Sequence, residues 1–268
     1  MTVDAAALVA PVADLMRQVA REVVMPRFQA LAAADIIEKG PGDLVTIADR
    51  ESEERLAEGL SAILPQARVI GEEAVAADAS ILEGISDGLV WIVDPIDGTN
   101  NFASGKSPFA IMVALVEDGV TLAGWILDPV TGRLHHAVKN GGAFCDGVRI
   151  HTRASGAPLP LGALSVRYFP PDLREKFLAR MQGKLADIAI PNCAGEQYPR
   201  LVSGENDIAL FWRTQPWDHA PGALILTEAG GRIRRFDGAG YRVDQVGDGL
   251  VAAATPDLWE LAADVLLR

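Results

Sequence analysis

Two acidic clusters follow short apolar runs in this chain: Gly71-Glu72-Glu73, then Asp94-Pro95-Ile96-Asp97-Gly98-Thr99-Asn100-Asn101-Phe102. Carboxylates this dense at strand ends cost free energy unless a cation is bound or they take up protons. Hard oxygen donors in such number suit Mg²⁺ better than zinc, because Mg²⁺ prefers oxygen and keeps waters for substrate phosphates. Each cluster also has a plainer reading. Asp94 and Asp97 can bond the amides of an ordinary polar turn, and a glutamate pair is most often surface. Asp218 opens an apolar helical stretch, where it reads equally as an N-cap. Asp49 reads as a first-turn acid favoured by the helix dipole.

The elements that must position these residues are legible around them. Residues 88–93 are a short apolar run rich in β-branched side chains, read as a buried strand that Asp94 and Asp97 leave. Pro95 and Gly98 force a sharp turn, so both carboxylates and the Ile96 carbonyl can point into one concavity. Gly98-Thr99-Asn100 then opens a helical turn whose backbone N–H groups can hold a phosphate. Upstream, Leu8, Val12, Leu15, Met16, Val19 and Val23 give a helical face over 4–34, kinked or ended by Pro26. Lys39-Gly40-Pro41-Gly42 reads as a flexible loop. A second helix runs over 47–64 with Thr46 as N-cap.

Strands are expected at 68–71, 109–117, 120–127, 133–138, 162–166, 186–190, 207–211, 231–235 and 249–253. Glu117-Asp118-Gly119 is a hairpin-type turn signal. Helices are expected at 171–182, 193–202, 218–229 and 256–267. The alternation implies an α/β or α+β layered fold. The chain reads as one domain over 1–268, with halves 1–150 and 151–268 meeting at the proline-containing loop 151–160.

Composition narrows the partners. A net charge of −12 argues against nonspecific binding to nucleic acid or to anionic membrane. It does not argue against a phosphate substrate, since a bound metal reverses the sign locally. With 268 residues, 49% of them hydrophobic, the chain needs no disulfide between Cys145 and Cys193. The longest apolar run, Phe109 to Val116, has 8 residues against the roughly 20 of a membrane span. No secretory leader is visible, so a soluble cytoplasmic protein is expected. His135, His136, His151 and His219 show no zinc spacing, and His219 reads as a helix-surface residue. No G-x-S-x-G or P-loop pattern occurs.

Taken together, Glu72-Glu73, Asp94-Pro95-Ile96-Asp97-Gly98-Thr99 and Trp217-Asp218 resemble the three signatures of the inositol monophosphatase family, in the family's order. Asp43-Leu44-Val45-Thr46, Gly141-Gly142-Ala143-Phe144 and Thr227-Glu228-Ala229-Gly230-Gly231 extend the resemblance over most of the chain. The resemblance implies alternating α-β-α-β-α layers, a homodimer, and a Mg²⁺-dependent phosphomonoesterase using two or three ions. It assigns the metal to Glu72, Asp94, the Ile96 carbonyl, Asp97 and Asp218. Catalysis falls to Thr99 with Asp49, and to Glu73 near the nucleophilic water. Ile96, Asp97, Gly98, Thr99, Gly195, Phe211 and Asp218 are the implied substrate contacts. A small-molecule phosphate ester is the implied partner, inositol 1-phosphate first. Histidinol phosphate, fructose 1,6-bisphosphate, adenosine 3′,5′-bisphosphate and a non-enzymatic role with a protein partner are the alternatives.

The sequence departs from the inositol-specific pattern at one place. Animal-type members carry a glutamate seven residues before the Trp-Asp aspartate, where it bonds the inositol ring; here that position is Phe211. Phenylalanine cannot accept a hydroxyl's proton, so the phosphatase chemistry survives while that polyol contact is lost. Glu196 and Glu205 are the candidates to replace it. Lys39 reads equally as a residue near the metal site and as a solvated lysine.

Overall fold

The structure, a computed structural model, describes residues 3–40, 42–166, 169–245 and 249–268, with Asp43 described by its backbone alone. A first helix, α1 (Val9–Val19), buries Val12, Ala13, Met16 and Val19 along one face. It runs through a π-helical stretch, Ala20–Val24, into a last turn, α2 (Met25–Arg27), which holds Pro26. The helix therefore stops well short of residue 34. Pro26 has no N–H for the ladder of the preceding turn, where the π-helical stretch lies, and the helix ends where the backbone of Phe28 becomes extended. Residues 36–46, read partly as a flexible loop, instead form an antiparallel pair, β1 (Ile36–Gly40) and β2 (Asp43–Thr46). Their apolar runs are too short to announce strands. Pro41, in the expected loop, lies outside the described residues.

Thr46 caps α3 (Ile47–Ile63), as expected, and Leu56 and Leu60 of that helix are fully buried. The chain then enters β3 (Arg68–Gly71), a short helix α4 (Glu72–Ala77), and β4 (Leu89–Asp97). A single turn, α5 (Thr99–Ala103), leads into β5 (Ala110–Glu117), β6 (Val120–Leu127) and β7 (Leu134–Val138). Two strands that lacked a clear alternation follow, β8 (Gly142–Cys145) and β9 (Val148–Ile150). These form one sheet in the order β3-β4-β5-β6-β7-β8-β9, antiparallel except for β3 against β4. Parallel pairing of β3 with β4 carries Glu72 and Asp94 out at the same sheet end, since Gly71 lies opposite Val93.

The second sheet comes from β10 (Leu161–Leu164), α6 (Pro171–Met181), β11 (Ala186–Ile188), α7 (Ala194–Ser203), β12 (Ile208–Phe211), α8 (Pro216–Glu228), β13 (Arg232–Arg235), β14 (Leu250–Ala253) and α9 (Pro256–Leu266). Its order is β11-β10-β12-β14-β13, with β11, β10 and β12 mutually parallel. Alternating side chains sort the cores. Trp91, Val93, Ile111, Val113 and Trp125 of the first sheet pack under α1 and α3. Ala110, Met112, Ile126 and Ala137, on the other face, meet α7, α8 and the second sheet. Leu164, Ile208, Leu210 and Val251 turn outward to Phe177, Met181, Trp259 and Leu266 of α6 and α9. The result is the α-β-α-β-α layering. Small residues let α8 close on the first sheet: a Cβ on Gly124 would come within 2.7 Å of Pro221 Cα.

Candidate active site

Glu72 begins α4 directly after β3, Asp94 and Asp97 lie near the end of β4, and Asp218 lies in the first turn of α8. All four line one cleft of about 510 Å³, together with Ile96, Gly98 and Thr99. The α8 helix starts two residues earlier than its apolar run implies, with Pro216 in its first turn, so Asp218 is not the N-cap. Asp94 is buried, and its Oδ1 accepts the Ile96 N–H at 3.0 Å. The polar-turn reading is therefore true of one oxygen. Burial holds Asp94 well above the ordinary carboxylate range, and the charges of Glu72, Asp97, Asp218 and Asp49 add to it.

Asp49 both caps α3 and meets the Thr99 hydroxyl. Its Oδ2 accepts from Thr46 N at 2.8 Å and Thr46 Oγ1 at 2.5 Å, closing the capping box of α3. Its Oδ1 accepts from Thr99 Oγ1 at 3.1 Å, and the Ile96 carbonyl lies 2.9 Å from the same hydroxyl. Burial raises Asp49 to about 6, against the pull of the Thr46 bonds. A hydroxyl whose proton points to Asp49 or Ile96 O leaves its lone pairs to receive a proton from a neighbour in the cleft.

Gly98 turns the chain between these groups with φ 86°, a left-handed value that glycine adopts without steric penalty. It opens α5, whose first internal bonds run from the Asn101 and Phe102 N–H groups to Gly98 O. Across the cleft, the start of α7 grips Asp97. The Gly195 N–H donates to Asp97 Oδ2 at 2.5 Å and the Cys193 thiol donates to it at 2.9 Å. Burial raises Asp97, while these donors pull the other way. Gly195 thus reaches the site through Asp97. A Cβ there would come 2.5 Å from Ala110 Cβ.

Lys39 reaches the site from β1. Its Nζ donates to Glu72 Oε1 at 2.9 Å and to Glu73 Oε1 at 2.8 Å. Burial lowers the Lys39 ammonium, but Glu72 and Glu73 outweigh it and hold the lysine charged. Burial pushes Glu72 up to about 7 against the attraction of Lys39. Among the described residues no three carboxylate, imidazole or thiol groups already converge on one coordination point. Glu72 faces Lys39, and Asp97 Oδ2 faces α7. The donor chemistry nevertheless fits a hard divalent cation. Glu72, Asp94, Asp97 and Asp218 crowd one cleft, and burial disfavours their negative charge unless a cation compensates it.

The wall opposite the carboxylates comes from the second sheet and α7, including Ser165, Gln197, Phe211, Trp212 and Arg213. Phe211 lines the cleft as expected, with one face stacked on Tyr198 at 5.5 Å between centroids. His219 is not a surface residue. It is 1% exposed, its Nδ1 lies 2.8 Å from Tyr198 OH and its Nε2 3.0 Å from Arg213 O. The carbonyl can only accept, so Nε2 carries the proton and Nδ1 accepts from tyrosine. Burial lowers His219 to about 4. Helical spacing put His219 beside a polar residue, but α8 is sandwiched between two sheets and has no free face. Glu196 bonds Arg200 at 2.8 Å, Glu205 accepts from Ser203 at 3.1 Å, and neither lines the cleft.

Beyond Cys193 and wall residues such as Ser165 and Arg213, two buried polar residues at the site escaped the sequence reading. Glu53 of α3 is buried, and its carboxylate accepts the Glu73 and Ala74 N–H groups at 2.7 and 2.8 Å. It caps α4 from another element and so fixes where Glu72 and Glu73 point. It lies against Gly71, where a Cβ would come 2.2 Å from Glu53 Cδ. The second is Gln197, buried in the cleft wall.

Comparison with known proteins agrees with this geometry. The sequence model of the inositol monophosphatase family matches residues 7–266. A Thermotoga maritima fructose-1,6-bisphosphatase/inositol-1-monophosphatase is 32% identical over 206 residues, 76% of this chain and 77% of that protein. A Vibrio cholerae Nus factor SuhB is 30% identical over 82% of this chain and 80% of its own length. Among solved structures, inositol monophosphatase II of Staphylococcus aureus superposes with a TM-score of 0.79 at 26% identity, covering 97% of this chain and 93% of that one. This chain belongs to the inositol monophosphatase family, whose phosphatase members hydrolyse phosphate monoesters and are generally metal-dependent.

Proposed function

We propose that this protein is a Mg²⁺-dependent phosphomonoesterase for a small phosphorylated polyol, inositol 1-phosphate first among them. The observation that carries this reading is the meeting of Glu72, Asp94, Asp97 and Asp218 in one cleft with the Thr99–Asp49 pair. Those carboxylates and the Ile96 carbonyl would hold two or three Mg²⁺ ions. When bound, they supply a lowered pKa for a coordinated water and positive charge for the leaving oxygen.

The chain's own groups do the rest. Thr99 Oγ1, its own proton directed to Asp49, accepts a hydrogen bond from the attacking water and aims the water's lone pair at phosphorus. The proton the water loses passes through this hydroxyl to the Asp49 carboxylate. Glu73, held by Lys39 and by its own N–H on Glu53, completes the polar surround of that water. The backbone N–H groups that open α5 meet the phosphoryl oxygens, as helix starts do for anions. The leaving oxygen departs toward Phe211 and α7 and takes its proton from water in the cleft. No covalent enzyme intermediate is involved.

In this reading the enzyme works as a cytoplasmic homodimer on a small-molecule ester. The name of the Vibrio cholerae relative supports a second role, contact with a protein partner. The test is a panel of esters assayed for phosphate release with and without Mg²⁺: inositol 1-phosphate, glycerol 2-phosphate, histidinol phosphate, fructose 1,6-bisphosphate and adenosine 3′,5′-bisphosphate. Inositol 1-phosphate is expected to be turned over at least as well as any other. Silence on the whole panel would favour the partner role, and a bisphosphate preference would reassign the substrate.

A further inference from the structure

Gln197 sits one turn inside the α7 start that grips Asp97. Its own N–H donates to Cys193 O at 3.1 Å, so its backbone is satisfied. Its side chain is not. The residue is 3% exposed, it contributes to the cleft lining, and neither its Oε1 nor its Nε2 has a hydrogen-bond partner. A buried polar group without a partner has given up its hydrogen bonds to water with nothing in return. An apolar side chain of the same length would hold α7 more cheaply. Neighbouring polar residues of the helix are already engaged, Glu196 with Arg200 and Tyr198 with His219.

We propose that Gln197 is the specificity residue that reads the leaving alcohol, its carboxamide turning into the cleft to bond the hydroxyls of a neutral polyol. This rests on the phosphatase reading. A carboxamide offers two donors and an acceptor in one plane and carries no charge. That suits a hydroxyl, which donates and accepts, better than a second phosphate or a carboxylate. The position fits as well. Gln197 lines the same cleft as Asp97 and Phe211, so an ester whose phosphate lies near Asp97 can place its alcohol beside α7. Phe211 supplies the apolar face for the carbon skeleton. The hydrogen bond missing at Phe211 is thereby furnished from a different element, and neither Glu196 nor Glu205 supplies it.

The test compares Gln197→Leu with wild type on inositol 1-phosphate, glycerol 2-phosphate and p-nitrophenyl phosphate, whose leaving group has no aliphatic hydroxyl. We expect kcat/KM to fall about 10- to 100-fold on the two polyol esters, the scale of one or two lost hydrogen bonds. On p-nitrophenyl phosphate it should change less than about 3-fold, and the melting temperature should hold or rise. Equal losses on all three esters, no loss on any, or a lowered melting temperature with unchanged ester ratios would overturn the role of Gln197. If Gln197→Leu does not fold, Gln197→Met, closer in length, gives the same comparison. Mg²⁺-dependent hydrolysis of p-nitrophenyl phosphate by wild type checks the phosphatase reading separately. Its absence would sink that reading and this inference together, whereas equal losses would sink the inference alone.

Discussion

At the residue scale, the protein itself holds several carboxylate oxygens of the site in place. Asp97 Oδ2 is taken by Gly195 N–H and the Cys193 thiol, and Asp94 Oδ1 by Ile96 N–H. Asp97→Asn and Asp218→Asn should each lower kcat at least ~100-fold, the scale of well-placed electrostatic groups. Steady-state phosphate release checks this, and near-wild-type turnover in either variant would remove that residue from the site. Thr99→Ala should lower kcat more than it raises KM, because the hydroxyl orients the water. His219→Ala belongs to another class. It empties a buried site and removes the hydrogen-bond partner of Tyr198 OH, so a loss of roughly 2–4 kcal/mol is expected in urea unfolding. The acidic set was readable because three clusters recur in a known order. His219 misled because nothing in the local sequence shows that it is buried in the cleft wall, held between Tyr198 and Arg213 O. Gln197 gave no signal at all, since a glutamine on a helix looks solvated until its burial is known.

At the element scale, the site is assembled from strand ends and helix starts that must be held in register. Glu53 holds α4 onto α3, and Gly71 leaves room for it. Gly71→Ala should displace the Glu53 carboxylate and cost about 1–3 kcal/mol, the range for overpacking a tight site. It should also weaken Mg²⁺ activation, because Glu72 and Glu73 begin the helix that Glu53 caps. Circular-dichroism melts and Mg²⁺ titration of activity read the two effects. An unchanged melt and an unchanged titration would show that Glu53 yields freely. The long elements were legible: α3, β5, β6 and the alternation of strands and helices in the second half follow from apolar periodicity and capping. The β1–β2 pair, α4, β8 and β9 were not. Each is short and carries little apolar periodicity: β1 and β2 are held by pairing with each other, β9 by pairing with β8, and α4 by a cap from Glu53, distant in sequence.

At the scale of the whole molecule, two sheets separated by α7 and α8 bring a carboxylate-rich sheet end against a largely uncharged wall. The charge this concentrates should show in the pH dependence of metal-free protein. Glu72, at about 7, and Asp94, well above its ordinary value, bind protons in the folded state that the unfolded chain has already lost. Folded protein thus holds more protons than unfolded protein through roughly pH 6.5–8, and stability falls as pH rises there. His135 and His219, lowered to about 4, act oppositely. Their contribution is present above the unfolded value near 6.5 and is lost as pH drops toward 4. Melting temperatures in chelator should therefore decline from pH 6.5 to 8, and saturating Mg²⁺ should flatten that decline. A melting temperature that rises over this range in chelator would mean that the carboxylates are not destabilised by their burial. The layering follows from alternation of apolar side chains, but the cleft does not, because no local pattern encodes how far α7 stands from β4. The most direct measurement is phosphate release from inositol 1-phosphate by protein stripped of metal through exhaustive chelation and then titrated with Mg²⁺. No turnover is expected from the stripped protein, with full recovery on adding Mg²⁺ and none in Asp97→Asn; full turnover after chelation would contradict the metal-dependent phosphatase assignment.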